Sequence, residues 1–417
     1  MRLNVTSEIG RLKSVLVHLP GREIDMMVPP MMAQLLFDDI LYGQVAREEH
    51  RRFQQLLRFI ANDVLDMQDL LEETLEDDEV KELIVRDLAH RNGFSRRLTS
   101  WLLEQPAGAL AEVLIGGIAK EQESGELPKF ELFPLPNYFF MRDPQIVLGD
   151  GVIVCSMATQ ARRRESLLSK YVFQYHKAFR GRDLFWVDFM ESPKETKPPT
   201  IEGGDVLVAS RDLLLIGTSE RTNRASVQQI ARALKKSNSA VRTIIVVELP
   251  KKRSFMHLDT VFTITNRHEC LIYPPVILPR GSQAASVSRI DLTKRNISFS
   301  PEKSLLGALK KQGMDLEPIY CGGKAVVDQQ REQWTDGANA FTLAPGTVLL
   351  YERNVRTAEE LNAHGYNIVY EDDLLLGRTE LETWTDKKYA LQIQGNELSR
   401  ARGGPRCMTM PLEREDV

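Results

Sequence analysis

The residues able to do chemistry gather around one sulfur late in the chain. Cys407 lies in Arg400-Ala401-Arg402-Gly403-Gly404-Pro405-Arg406-Cys407-Met408-Thr409-Met410-Pro411, with no second cysteine nearby. Glycines let a backbone take positive φ and approach a ligand closely. Flanking arginines favour the thiolate, the nucleophilic form of cysteine. A cysteine taken by itself is more often a small buried apolar residue. Upstream, Pro134-Leu135-Pro136-Asn137-Tyr138-Phe139-Phe140-Met141-Arg142-Asp143-Pro144 sets an aromatic wall beside a carboxylate and stiffens it with prolines. The plain structural alternative there is a packed turn with an Arg142–Asp143 surface pair. In Ile201-Glu202-Gly203-Gly204-Asp205-Val206 two acids bracket a Gly-Gly step and suit a cation. They supply too few oxygens for a calcium site of six to eight ligands. If Met256-His257-Leu258-Asp259-Thr260-Val261-Phe262 is a strand, His257 and Asp259 point to one side. A carboxylate beside histidine favours the imidazolium and makes a positioned general acid or base; a hydrogen-bonded core histidine is the alternative. Arginines follow turns at Arg162-Arg163-Arg164-Glu165 and Glu220-Arg221, and arginine grips a carboxylate bidentately.

Together these groups have a consistent chemical content. Acids clamp a planar cation with many donors, a histidine moves protons, a cysteine attacks, and arginines hold an anionic end. A substrate with a guanidinium at one end and a carboxylate at the other, such as free arginine, fits that inventory. Phosphate chemistry does not: no G-x-x-x-x-G-K-[ST] loop is present, and Gly322-Gly323-Lys324 runs into Ala325. Zinc has no H-E-x-x-H and no paired C-x-x-C to bind.

The elements that must position these residues fall into two textures. From Asp38 to about Glu126 the chain is charged, poor in Gly and Pro, and periodic at helical spacing, as in the stripe Phe53, Leu56, Leu57, Ile60. Residues 39–127 are expected to form an all-helical module, with the acidic run Glu72 to Glu79 as a solvated helix face or helix start. Lys13 to His18 reads as a strand. From Pro134 onward short strands, such as Val152 to Cys155, Val206 to Val208, Leu213 to Ile216, Thr243 to Val247 and Val348 to Tyr351, occur mostly in pairs. Helices separate the pairs at Ala225 to Lys236, Leu305 to Gln312 and Thr357 to His364. That predicts repeated small α/β units.

Composition sets outer bounds. The 417 residues are 42% hydrophobic and 27% charged, a globular profile, and the net charge of −4 gives no basic field for nucleic acid. Four scattered cysteines are too sparse for a disulfide scaffold and suit a reducing compartment. No signal-peptide h-region and no apolar run of membrane-spanning length are found, so a cytoplasmic protein without membrane contact is expected.

The ordered set of motifs resembles the arginine deiminase family, part of the guanidino-group-modifying (pentein) superfamily. It runs from Ser7-Glu8-Ile9-Gly10 and Val15-Leu16-Val17-His18-Leu19-Pro20-Gly21-Arg22-Glu23 through the segments around Asp143, Glu202 and His257. It continues with Arg331-Glu332-Gln333-Trp334-Thr335-Asp336-Gly337 and ends at the Cys407 stretch. The resemblance implies a five-bladed α/β propeller, residues 1–38 and 128–417, with the helical module 39–127 inserted after the first blade. It also implies L-arginine as the small-molecule substrate, no cofactor and no metal, and a homo-oligomer. Residue by residue it makes Cys407 the nucleophile, His257 the general acid/base, Asp143 and Glu202 the guanidinium-binding acids, and Asp259 the acid beside the histidine. Asn137, Phe140, Arg162, Arg221 and Arg402 fall to substrate binding. Met141 and Pro405-Arg406 depart from usual family residues without removing a reactive group.

The implied reaction is hydrolysis of L-arginine to L-citrulline and ammonia through a cysteine amidino-thioester. A hydrolase or amidinotransferase for another guanidine, and an arginine-binding pentein without turnover, are the alternatives. One tension arises at the sulfur: neighbouring carboxylates raise the thiol pKa, while Arg402, Arg406 and an imidazolium lower it.

Overall fold

The computed structural model describes residues 1–120, 129–179, 184–191, 198–382 and 385–417. Among these, the strands form six sheets, and five share one pattern. Each of the five has an antiparallel pair whose second strand carries a third strand in parallel. In chain order these are Gln145–Leu148, Gly151–Val154 and Phe185–Asp188; then Val206–Ser210, Leu213–Thr218 and Thr243–Glu248. Next come Phe262–Asn266, Glu269–Ile272 and Glu317–Tyr320, and Phe341–Ala344, Thr347–Tyr351 and Lys388–Ile393. The fifth unit joins distant parts of the chain: Met410–Arg414 pairs antiparallel with Leu12–Val17, which pairs parallel with Asp63–Asp66.

A parallel neighbour needs a crossover, and each unit has a helix for it: Gly43–Leu57, Arg163–Tyr175, Arg224–Lys236, Leu305–Lys311 and Val355–Ala363. Local chemistry sets their ends. Asn223 Oδ1 accepts from Ser226 N at 3.1 Å, and Ser304 Oγ from Gly307 N at 3.1 Å, two N-caps that satisfy otherwise orphaned amides. These are the repeated α/β units that the alternation of paired strands and single helices predicts.

The segment expected to be all-helical is not. Its first helix, Gly43–Leu57, and the strand Asp63–Asp66 belong to the sheet unit of Leu12–Val17, so the purely helical run starts at Met67. A short strand stands among charged helices because Val64 and Leu65 have a parallel partner waiting, and tertiary pairing outweighs local propensity. Helices Met67–Leu75, Asp78–Asn92, Arg96–Glu104 and Ala107–Gly116 follow. The acidic run does start a helix, since Asp77 Oδ1 accepts from Val80 N at 3.3 Å. Leu70, Leu71, Ile84 and Leu114 share one apolar cluster with Leu167, Leu168 and Tyr171 of the helix Arg163–Tyr175. The expected downstream boundary of the insert, at 127/128, lies outside the described residues. No helix among the described residues is long and apolar enough to cross a membrane.

Candidate active site

Loops between strands bring the candidate residues to one small cavity. Asn137, Phe140, Asp143, Arg162, Arg221, His257, Arg402 and Cys407 all line it, and its volume is about 20 Å³. That holds about one water. A neighbouring cavity of about 610 Å³ shares Leu36, Arg221 and Arg253 with it.

Cys407 is buried in a turn just before the strand Met410–Arg414. Its amide donates to Asn339 Oδ1 at 3.1 Å and its carbonyl accepts from Arg142 N at 3.0 Å. Gly403 and Gly404 serve close approach rather than positive φ. A Cβ on Gly403 would lie 2.2 Å from Phe140 Cε1, and one on Gly404 2.6 Å from the Asn339 carbonyl oxygen. The left-handed residue of the loop is instead Arg402, φ 66°. The Arg142–Asp143 pair is not at the surface: Arg142 is buried and braces the loop, donating through Nε to the Arg406 carbonyl at 3.2 Å.

His257 and Asp259 do not lie in a strand. His257 precedes the 3₁₀ turn Leu258–Thr260, which sends the two side chains to different partners. His257 Nε2 is 2.9 Å from Glu202 Oε2, and its Nδ1 is 3.7 Å from Asp143 Oδ1. Glu202, not Asp259, is thus the carboxylate that holds the ring. Asp259 Oδ2 accepts from Arg406 NH1 at 2.7 Å and stands 3.9 Å from Cys407 Sγ, while its Oδ1 has no hydrogen-bond partner. The turn itself is tied by Asp205, whose Oδ1 accepts from Leu258 N at 2.9 Å. The Gly203–Gly204 step admits these groups: a Cβ on Gly204 would lie 2.5 Å from His257 Nδ1.

Charge follows from these contacts. Burial would lower the His257 pKa, but Asp143, Glu202 and Asp205 raise it to about 9. Burial would raise the Glu202 carboxyl, yet its bond to His257 and the charges of Arg162 and Arg221 hold it well below the carboxylate range. Burial, then Asp259, Asp143 and Asp336, push the Cys407 thiol well up, with Arg406 opposing. These influences favour the protonated thiol over the thiolate in the unliganded site.

The arginines divide into two kinds. Arg162 has spent its donors on acids: Nε and NH2 on Glu165, at 3.1 and 2.8 Å, and NH1 on Asp143 Oδ2 at 3.0 Å, with Glu202 Oε2 at 3.5 Å. It carries the counter-charge of the acids here, rather than the free fork expected for gripping an anion. Arg221 NH1 and all three guanidinium nitrogens of Arg402 are buried without a hydrogen-bond partner. Arg402 has donors to give, and so does Arg221, whose NH1 stands 3.8 Å from Glu202 Oε1 as an ion pair without a hydrogen bond. Asn137 lines the cavity, with its amide donating to the Leu35 carbonyl at 2.7 Å. Asp143, Glu202 and His257 offer three ligand atoms within 4.8 Å of one another. That is fewer than a closed zinc or calcium site needs, and their cationic neighbour is Arg162.

The sequence reading did not single out Leu36, Arg253, Asn339 or Glu165. Leu36 is left-handed, φ 55°, with no glycine to mark the turn. Arg253 reaches the cavity held by Asp38 at 2.7 Å. Asn339 joins the Asp259 carbonyl, at 3.2 Å, to the Cys407 amide. Only Glu165 carried a local signal, three residues after Arg162.

A family model described as arginine deiminase matches residues 33–414. An arginine deiminase of Clostridium perfringens is 36% identical over 436 aligned positions, covering 100% of this chain and 98% of the relative. One of Bacillus cytotoxicus is 34% identical, with 100% and 99% covered. Among solved structures, an amidinotransferase of Microseira wollei from the saxitoxin biosynthetic pathway aligns with a TM-score of 0.53 at 13% identity, covering 100% of this chain and 98% of that one. A dimethylarginine dimethylaminohydrolase adduct with S-methyl-L-thiocitrulline gives 0.51 at 15%, covering 96% and 99%. At such identities these structures speak for the fold alone, a pentein-type α/β fold.

Proposed function

The chain belongs to the arginine deiminase family, and from that premise we propose that it hydrolyses L-arginine to L-citrulline and ammonia. The observation that carries this reading is the meeting of Cys407, His257 and Asp143 with the unspent donors of Arg221 and Arg402 at one cavity. A nucleophile, a proton carrier, an anionic wall and a cationic end match the two ends of free arginine.

In this reading Asp143 and Glu202 align the substrate guanidinium, and Asp259 Oδ1 accepts one of its N–H groups beside the sulfur. Cys407 passes its proton to solvent and attacks the guanidinium carbon. The tetrahedral adduct expels one nitrogen as ammonia, with its proton supplied by the His257 imidazolium. The neutral imidazole then takes a proton from water, whose oxygen attacks the amidino carbon. The C–S bond breaks as the hydroxyl proton passes to the departing sulfur, Cys407 returns as the thiol, and the former guanidine leaves as a ureido group. Arg221 and Arg402 hold the α-carboxylate, and Asn137 and Phe140 line the path. Arg162 serves the substrate by keeping the acids charged and in place.

The finer architecture belongs to the same reading. We take the five sheet units, Gly43–Leu57 and Asp63–Asp66 among them, as blades of a propeller, and the helices from Met67 to Gly116 as the module inserted into it. The shared strand pattern supports it. A cytoplasmic homo-oligomer completes the reading.

The test offers L-arginine, agmatine and methylated arginines to the purified protein and measures ureido product and ammonia. Citrulline from arginine, abolished by Cys407→Ala, is expected. Undiminished turnover in that variant sinks the assignment of the nucleophile, and preference for another guanidine sinks that of the substrate.

A further inference from the structure

Trp334 ends the helix Val326–Trp334, half exposed, in a stretch that the reaction scheme leaves without a task. The guanidinium carbon of Arg402 lies 3.4 Å from the centroid of its ring. Arg402 is buried, none of its three nitrogens has a hydrogen-bond partner, and its backbone is left-handed. A buried cation without hydrogen bonds is costly, so something must hold it. Burial lowers its pKa, and Asp336 and Asp38 oppose that at a distance, without a hydrogen bond. The ring face of Trp334 is a contact that offsets this cost. A carboxylate at that place would fix the guanidinium equally well but would spend its donors, as Glu165 does for Arg162. An aromatic face attracts the cation and leaves every N–H free.

We propose that Trp334 is a positioning residue for the amino-acid end of the substrate: its ring holds the Arg402 guanidinium over the cavity with its donors unspent for an α-carboxylate. The proposal rests on the reading of the cavity as an arginine site. Trp334 does not line the cavity and acts through Arg402. Asp336, two residues on, is buried in a left-handed conformation with Oδ2 unpartnered, and burial pushes its carboxyl up to about 7. The same turn thus supplies both a stacking face and a carboxyl that acts at a distance.

The experiment compares L-arginine with agmatine, which lacks the carboxylate, in the full chain and in Trp334→Leu and Trp334→Phe. Leu removes the π face and keeps a smaller apolar side chain, and Phe keeps a face. Trp334→Leu is expected to raise the arginine KM about tenfold, with kcat held within about twofold and agmatine constants unchanged. Trp334→Phe recovers most of the loss. An unchanged arginine KM in Trp334→Leu, or equal losses for both ligands, overturns the proposal. A wild-type chain that binds arginine without making citrulline fails the reaction reading alone; dissociation constants of the two ligands in the three proteins then decide the platform. Binding of neither ligand overturns both.

Discussion

Asp259 is bound by Arg406 at 2.7 Å while the same oxygen stands 3.9 Å from Cys407 Sγ. The residue before Cys407 therefore neutralises the acid beside it. Arg406 also reaches Glu8 through Nε and NH2, each at 3.1 Å, and donates to the Val206 carbonyl at 3.0 Å. Burial would raise the Glu8 carboxyl, but Arg406 and Arg142 take it down to about 2. That folded value lies below the ordinary one, so its contribution to stability is present above pH 4.5 and is lost as pH falls through about 2. Arg406→Met leaves two buried acids unpaired and is expected to cost about 3–5 kcal/mol. Denaturant unfolding measures it; a variant as stable as wild type at neutral pH refutes the role.

The thiol at rest leads to a second expectation. Because burial and three acids disfavour the thiolate, a bound guanidinium supplies the missing positive charge and helps ionise the sulfur. Thiolate absorbance against pH, taken as wild type minus Cys407→Ala, is expected to shift to lower pH when an unreactive guanidine is bound. An unmoved titration would show that the site ionises its sulfur unaided.

In the proposed reaction His257 is expected to set the alkaline limit. Its folded pKa of about 9 lies above the ordinary 6.5. Its stabilising contribution is complete below 6.5 and is lost as pH rises through about 9. The proton donor disappears over the same span. The pH profile of kcat/KM is expected to fall near pH 9, and replacing Glu202 by Gln moves that limb down. A limb that stays in place in Glu202→Gln contradicts the 2.9 Å bond as one of its causes, beside the charge of Asp143.

Gly204→Ala isolates geometry from charge. The new methyl would sit 2.5 Å from His257 Nδ1, so the ring must move. A displaced proton carrier is expected to lose about a hundredfold in kcat. Kinetics beside a circular dichroism spectrum would separate this from misfolding, and full activity would mean that the ring has room to spare.

Asp77→Ala probes the helical module. Its N-cap to Val80 is expected to be worth about 1 kcal/mol. A lower melting temperature with unchanged KM is the anticipated pair of results. A changed KM would tie these helices to the site.

The reactive side chains were legible because each stands in a stretch of unusual composition: an aromatic wall, a Gly-Gly step between acids, a cationic glycine loop. Their partners were not. Periodicity set His257 against Asp259, two residues away, but a 3₁₀ turn intervenes and the ring meets Glu202, 55 residues upstream. Arg162 looked like an anion grip because its type is visible and its neighbours are not; three acids converge on it only in the folded chain. The strand Asp63–Asp66 was hidden by charged surroundings, since its reason to extend is the edge of Leu12–Val17. Leu36 gives no sign of a left-handed turn, because no glycine, asparagine or aspartate marks the position.

Glu8 and Arg406 are joined across 398 residues, and Met410–Arg414 pairs with Leu12–Val17. During synthesis Cys407 leaves the ribosome after the other residues that line the cavity. Until then the strand Leu12–Val17 has an open edge, and Glu8 has no guanidinium to bury against. The nascent chain must keep that edge from pairing elsewhere while later units fold, a hazard common to long-range closure. A chain interrupted before Arg406 therefore carries the acids and the histidine without the sulfur, and under the proposed reaction it is expected to be inactive as well as unlatched.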